Sequence, residues 1–222
     1  MIYGIQKLSL VDYPKEISLV IFTGGCNFNC GFCHNKSIVE MKEKQLSEEY
    51  VLSLLKERIN FIHCVVITGG EPTIYKERLT SLIIKIKEMG FKVKLDTNGT
   101  SPEYVSLLLE KNLLDYIAMD IKNTFIKYNE TISSSTDINT IKKSIKLIEN
   151  SKIPYEFRTT INKTNHTIED IKEIITYVKD PTKLYIQGYE YSEYQINKQD
   201  YKSFTKEELK EIEQITKLKV KM

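Results

Sequence analysis

The chain has 222 residues, 41% of them hydrophobic, enough for one domain with a sizeable core. Its 32 basic and 30 acidic side chains leave a net charge of +2, so no global field points to nucleic acid or a membrane surface. With no signal-peptide pattern and no apolar run of membrane-spanning length, the expected location is a reducing cytoplasm, where cysteines are metal ligands or buried thiols rather than disulfides.

Residues 1–16 are read as an N-terminal segment, and the first strand is expected at "ISLVIF" (17–22). The loop after it, "GGCNFNCGFCHN" (24–35), carries three of the four cysteines. Ser47 before Glu48 and Glu49 marks a helix start, and "CVVIT" (64–68) is the second strand. "GGEP" (69–72) follows it as a tight turn, with a helix beginning near Glu71-Pro72. The third strand is "KVKLD" (92–96), and Ser101-Pro102-Glu103 then places proline at the first position of a helix. "DYIAMDI" (115–121) is the fourth strand, "TISSST" (131–136) a loop and "YEFRTT" (155–160) the fifth strand. Thr167 with Asp170 resembles a capping arrangement, and "KLYIQGY" (183–189) is the sixth strand. Thr205 with Glu208 has capping-box spacing, within a helical extension over 191–222.

These strands are continuous Val/Ile/Leu/Tyr runs rather than clean alternations, as expected where both faces are buried. Six β-then-α units imply a parallel sheet with crossover helices, either doubly wound or curled into a barrel. Eight units would need roughly 250 residues. The expected fold is therefore a single α/β domain over 1–222, its core at 17–190 a partial (β/α)6 TIM-like barrel.

The unusual polar residues fall at or just after the strand ends. The cysteines follow the first strand, "GGEP" the second and "TNG" (97–99) the third. Asp120 and Lys122 close the fourth, Arg158 sits late in the fifth and Gln187 late in the sixth. Carboxyl ends of parallel strands form the ligand-binding face of such folds, so six separate segments converge on one mouth.

Cys26, Cys30 and Cys33 can wrap a soft-metal centre. Structural zinc needs a fourth protein ligand; Cys64, at a strand start, lies at the wrong end, and His34 adjoins Cys33 too closely. "CGFCH" matches c-type haem attachment, but that chemistry needs export and leaves the other strand ends unexplained. A four-iron cubane on three cysteines keeps one iron open for a small molecule, which makes it the favoured reading. His63, His166 and Cys64 are read as structural.

Cys-x3-Cys-x2-Cys after a first strand, with Gly-Gly-Glu-Pro after a second, resembles the radical S-adenosylmethionine (radical SAM) superfamily. The resemblance implies that the amino and carboxylate groups of SAM chelate the open iron of a [4Fe-4S] cluster. One electron then cleaves SAM to methionine and a 5′-deoxyadenosyl radical. It also implies that Gly69, Gly70 and Glu71 hold the SAM amino group, largely through backbone carbonyls. By likeness to glycyl-radical activating enzymes, the segment with Asp96, Thr97 and Asn98 surrounds SAM, as do Asp120 and Lys122. There the acids help hold a monovalent cation near Asp96 and Asp120, and the lysine reaches toward the SAM carboxylate; a surface ion pair is the plainer reading. Arg158 either pairs with Asp120 or touches SAM. Gln187 either contacts the ligand or satisfies backbone groups. Phe32 lies against adenine or simply packs, and His34 sits near it.

"IQKLSLVDYP", "CNFNCGFCHN", "ITGGEPT", "KLDTNG", "DYIAMDIK" and "YEFRTT" are similar, in that order, to activating proteins of anaerobic ribonucleoside-triphosphate reductase. Departures are Gly31, where proline is frequent, and Gly188, where a larger residue is expected. The implied activity is formation of a glycyl radical on that reductase, with reduced flavodoxin or ferredoxin as electron donor. The residues support a large substrate too: no substrate domain is evident, and an incomplete barrel leaves a lateral opening. One cysteine outside the loop cannot hold an auxiliary cluster. The alternatives are another glycyl-radical enzyme as target, a small-molecule substrate such as a deazapurine precursor, or an iron–sulfur electron carrier.

Overall fold

Runs of Val, Ile and Leu that no helix period can accommodate build the centre of one sheet. The computed structural model describes residues 1–197 and 201–221. Its strands are β1 (Ile2–Ser9), β2 (Ser18–Thr23), β3 (Cys64–Gly69), β4 (Lys92–Thr97), β5 (Tyr116–Asp120), β6 (Tyr155–Ile161), β7 (Leu184–Gly188) and β8 (Val220–Lys221). They lie side by side in chain order. β1 pairs antiparallel with β2, as in Ile5↔Ile21, and every later pair is parallel. β1 and β8 are the two edges of this sheet, so the partial barrel does not close among the described residues.

The six expected strands are β2 to β7, each within a residue of its anticipated ends. β1 and β8 went unread. In "IYGIQKLS" the middle residues are exposed or half-buried, so an edge strand shows no apolar run. β8 is two residues long and is defined only by pairing with β7.

Eight α-helices are described: α1 (Lys36–Val39), α2 (Glu48–Glu57), α3 (Glu77–Glu88), α4 (Pro102–Glu110), α5 (Tyr128–Thr131), α6 (Ile138–Glu149), α7 (Ile168–Ile175) and α8 (Lys206–Thr216). Ser47 caps α2, Pro102 begins α4, and Thr167/Asp170 and Thr205/Glu208 form complete capping boxes on α7 and α8. No helix begins at Glu71; a 3-10 turn, Pro72–Tyr75, comes first, and Lys76 at φ +40° separates it from α3. Leu79, Leu82, Ile83 and Ile86 bury one stripe of α3, and Ile141, Ile145 and Ile148 one stripe of α6.

Alternation along the strands sends two sets of side chains to two places. Leu19, Ile21, Val65, Ile67, Val93 and Leu95 join the helices in the main core. Val20, Val66 and Cys64 face the barrel interior, where Tyr13 from the β1–β2 connection packs among them and lies 5.7 Å from the Tyr116 ring. The interior is thus apolar around Val20 and Val66, with the buried charges Lys94 and Glu156 beside Tyr116. Among the described residues no helix is long and apolar enough to cross a membrane.

Candidate active site

A cavity of about 570 Å³ opens at the carboxyl ends of the strands. Its wall includes Cys26, Cys30, Phe32, Cys33 and His34 from the loop after β2, and Gly69 and Gly70 from the end of β3. Asp96, Thr97 and Asn98 come from the end of β4, Asp120 and Lys122 from β5 and just beyond. Arg158 of β6 and Gln187 of β7 complete it. Six chain segments far apart in sequence therefore share one concavity. Cys64 does not: it is fully buried in the small interior cluster with Tyr13 and Val66.

The cysteine loop is held by bonds to many other parts of the chain, among them the ends of β3 and β4, Tyr75 and the segment after β7. The Asn98 amide donates to Asn27 Oδ1 (2.7 Å), and the Asn27 amide to Thr100 Oγ1 (2.7 Å). Tyr75 O–H donates to the Gly24 carbonyl (2.8 Å), and Asn35 to the Gly69 carbonyl (3.1 Å). The segment after β7 covers the other side, with Ile196 N–H on the Cys33 carbonyl and Asn197 N–H on that of Gly31. A Cβ on Gly31 would collide with the Tyr201 hydroxyl, and one on Gly188 would come within 2.8 Å of Leu209 Cδ1. At both glycines the C-terminal residues pack directly against the backbone, Tyr201 on the cysteine loop and Leu209 on β7.

Gly69 and Gly70 are needed for approach by the chain's own backbone. Gly69 has φ +119°, and a Cβ on Gly70 would run into the Gly25 carbonyl, 2.6 Å from its carbon. The Glu71 side chain is not part of the cavity wall. It is fully buried behind the wall, where Oε1 accepts from Thr73 N–H (3.1 Å), Thr73 Oγ1 (2.6 Å) and Thr97 Oγ1 (2.9 Å). Its Oε2 accepts from Asn98 N–H (2.6 Å). Burial pushes the carboxyl up from its ordinary range, against those four donors. Glu71 ties the turn after β3 to the end of β4.

Charges alternate across the cavity floor. Arg158 reaches both strand-end acids: Nε donates to Asp120 Oδ1 (2.9 Å) and Nη1 to Asp96 Oδ2 (3.0 Å). Lys122 Nζ donates to Asp120 Oδ2 (2.8 Å). Asp96 Oδ1 makes no hydrogen bond and lies 3.4 Å from the ammonium of Lys94, which also donates to the Asp12 carbonyl (2.6 Å) and contacts Glu156 (3.3 Å). Burial disfavours the charge on Asp120, but Lys122 and Arg158 outweigh it and hold the carboxyl well below the usual range. Burial works against Lys122 in the same way, and Asp120 overcomes it. All four carboxylate oxygens of the pair thus face a fixed protein cation, an arrangement that does not suit an added alkali ion.

Lys94 and Glu156 were missed at the level of sequence, although a signal exists. In "KVKLD" and "YEFR" charged residues recur at every second position, which marks one charged strand face. Tyr189 was missed as well; it lines the cavity with its ring 5.7 Å from His34 and 6.5 Å from the buried Phe32, which also meets Tyr201 edge-on.

Burial raises the Cys26 and Cys30 thiols to about 11 and about 12, so they are protonated at neutral pH until a metal displaces the protons. Among the described residues no three His, Cys, Asp or Glu groups form a set able to hold a single metal ion. Three soft donors on one cavity, with the fourth cysteine elsewhere, suit a cubane that keeps one iron open.

The profile of the Radical SAM superfamily matches residues 20–178. A Methanocaldococcus jannaschii protein named for glycyl-radical enzyme activation is 40% identical over 195 residues, covering 86% of this chain and 80% of its own. A Saccharolobus islandicus protein named as a GTP 3′,8-cyclase is 30% identical over 158 residues, 68% of this chain and 50% of its own. Among solved structures, Streptococcus suis SuiB bound to S-adenosylmethionine superposes with a TM-score of 0.70 at 19% identity, over 91% of this chain and 49% of that one. That likeness is one of fold. The chain spans about half the length of the cyclase and of SuiB.

Proposed function

The chain belongs to the radical SAM superfamily, and from that premise we propose that it is an activase which makes a glycyl radical on a partner protein, anaerobic ribonucleoside-triphosphate reductase. The observation that carries the reading is the convergence of three thiols and the polar ends of five further strands on one cavity of an unclosed barrel. The cluster and SAM, when bound, supply one-electron cleavage and a hydrogen-abstracting carbon radical.

The chain's own residues hold and orient. Cys26, Cys30 and Cys33 would hold the cluster, and Cys64, buried elsewhere, would take no part. The Gly69 carbonyl already accepts from Asn35 and keeps a second lone pair for the SAM amino group. Lys122 offers its ammonium to the SAM carboxylate, while its bond to Asp120 fixes where that charge sits. Thr97 and Asn98 are positioned from behind by Glu71. Phe32, His34, Tyr189 and Gln187 form the far wall, where the adenosine fits. The gap between β1 and β8 admits a loop of the partner. The electron would come from reduced flavodoxin or ferredoxin, and the hydrogen atom would be taken from a glycine α-carbon of the partner.

The choice of reductase rests on "QKLSLVDYP" and the order of the later segments; the choice of a glycyl-radical target also rests on the 40% identical relative. With reductant, SAM and the reductase under strict anaerobiosis, a glycine-centred doublet is expected in the electron paramagnetic resonance spectrum. Replacing the partner's C-terminal glycine by alanine should abolish it. A doublet on another glycyl-radical enzyme instead would change the target and leave the chemistry intact. The 30% identical relative favours a nucleotide substrate as the second reading, and 5′-deoxyadenosine formed with GTP alone would support it.

A further inference from the structure

Two acids at adjacent strand ends, Asp96 and Asp120, invite an alkali ion between them. Their geometry here answers differently. Arg158, on the next strand, spans the gap with its fork: Nε on Asp120 at 2.9 Å and Nη1 on Asp96 at 3.0 Å. Of the oxygens left over, Asp120 Oδ2 accepts from Lys122 at 2.8 Å, and Asp96 Oδ1, which makes no hydrogen bond, lies 3.4 Å from the Lys94 ammonium. An alkali ion needs several oxygens turned toward it with no positive group on the same lone pairs. Guanidinium suits the position, because it stays charged and reaches two carboxylates at once. Arg158 and Lys94 are also locked from outside. Arg158 pairs in register with Asp120 on neighbouring strands, and Glu156 backs Lys94 at 3.3 Å. Side chains of Arg158 and Asp96 are only 16% and 9% exposed, which leaves little water to compete for these contacts.

We propose that Arg158 is the built-in counter-cation of the Asp96–Asp120 pair, so that the site takes its ligand without an alkali-metal ion, and that removing the guanidinium turns the pair into an alkali-ion site. This rests on the SAM reading for its affinity readout and is independent of it for its stability readout. Arg158→Gln leaves Asp96, Asp120 and Glu156 facing only Lys94 and Lys122, an uncompensated negative charge that potassium or sodium can neutralise. Arg158→Lys keeps the charge but lacks the fork, so one of the two carboxylates is released.

The test uses cluster-loaded protein in potassium chloride, sodium chloride or N-methylglucamine chloride at equal ionic strength. SAM affinity is measured by equilibrium dialysis, and the thermal midpoint is recorded both with and without SAM. For the native chain, affinity should agree within about twofold across the salts, and the midpoint should not depend on the cation. Arg158→Gln should bind SAM about ten- to a hundredfold more weakly in N-methylglucamine, the loss expected for charge-assisted bonds, and potassium or sodium should restore part of it. Its midpoint without SAM should rise with potassium. A native affinity that falls about tenfold without alkali ions, or a native midpoint that tracks potassium, would overturn the proposal. So would an Arg158→Gln protein indifferent to the cation. If SAM binds in no salt, the functional reading fails, and the midpoints without SAM still decide the counter-cation. If Arg158→Gln does not fold, the same comparison on Arg158→Lys decides it, with a potassium-dependent midpoint expected and an unchanged one refuting.

Discussion

Glu71→Gln is nearly isosteric, yet every one of the four groups around the carboxylate is a donor. The amide keeps one carbonyl oxygen, best used where Thr73 N–H, Thr73 Oγ1 and Thr97 Oγ1 converge. Its NH2 must then face Asn98 N–H, now 2.6 Å from Oε2, donor against donor. A charge-assisted bond is worth about 1.5–3 kcal/mol, and a buried donor left unpaired costs about 1–3 kcal/mol. The two overlap, so a total of about 2–4 kcal/mol is expected. At about 2–4 °C per kcal/mol for a chain of this size, the midpoint should fall by about 4–16 °C. Thermal unfolding of the cluster-free protein, followed by circular dichroism, measures this directly. SAM affinity of the loaded protein should fall with it, because Thr97 and Asn98 line the cavity. A midpoint within about 1 °C of the native value would refute the reasoning. It would mean that the carboxyl is already protonated, the direction in which burial pushes it, and donates to a threonine hydroxyl.

Two further outcomes are expected. Cys30→Ala should lose iron and sulfide after anaerobic reconstitution, whereas Cys64→Ala should keep both and lose only stability, about 1 kcal/mol for a small buried side chain; the reverse pattern would move the cluster. His166 is buried with Nδ1 accepting from Asn162 N–H (3.4 Å) and Nε2 bonded to the Lys122 carbonyl (3.0 Å), and burial lowers its pKa. The native state therefore holds fewer protons than the unfolded one below about pH 6.5, so this stability is present above that pH and is lost as pH falls through it. Midpoints from pH 7.5 to 5.5 should fall more steeply for the native chain than for His166→Gln, by up to about 1.4 kcal/mol per pH unit; parallel curves would assign the slope to other groups.

Much of the site was legible because its parts are local. Strand-to-loop boundaries are written in short apolar runs, and chemistry-bearing residues stand next to those boundaries. Reading Cys26, Cys30, Cys33, Asp120, Lys122 and Arg158 as neighbours needed only the rule that parallel strands end on one face. Residues whose role depends on the face of a strand or the depth of a turn were not legible in the same way. Glu71 belongs to the motif and sits one residue from the wall, yet it points behind it. Lys94 and Glu156 look like ordinary strand charges until alternation places them inside the barrel.

The sequence by itself determined the order of strands β2 to β7, their parallel arrangement, the caps on α2, α7 and α8, and the set of segments meeting at the mouth. Each of these follows from side-chain period, capping chemistry and chirality, which act within a few residues or hold for every βαβ unit. Only the tertiary structure decided which atoms face one another: Arg158 between two acids, the C-terminal residues against Gly31 and Gly188, and β1 and β8 as the sheet's edges. Those contacts join residues that are tens of positions apart or more. A hydrogen bond or a collision between such residues depends on ångström-scale distances, which packing of the whole chain sets and local pattern does not encode.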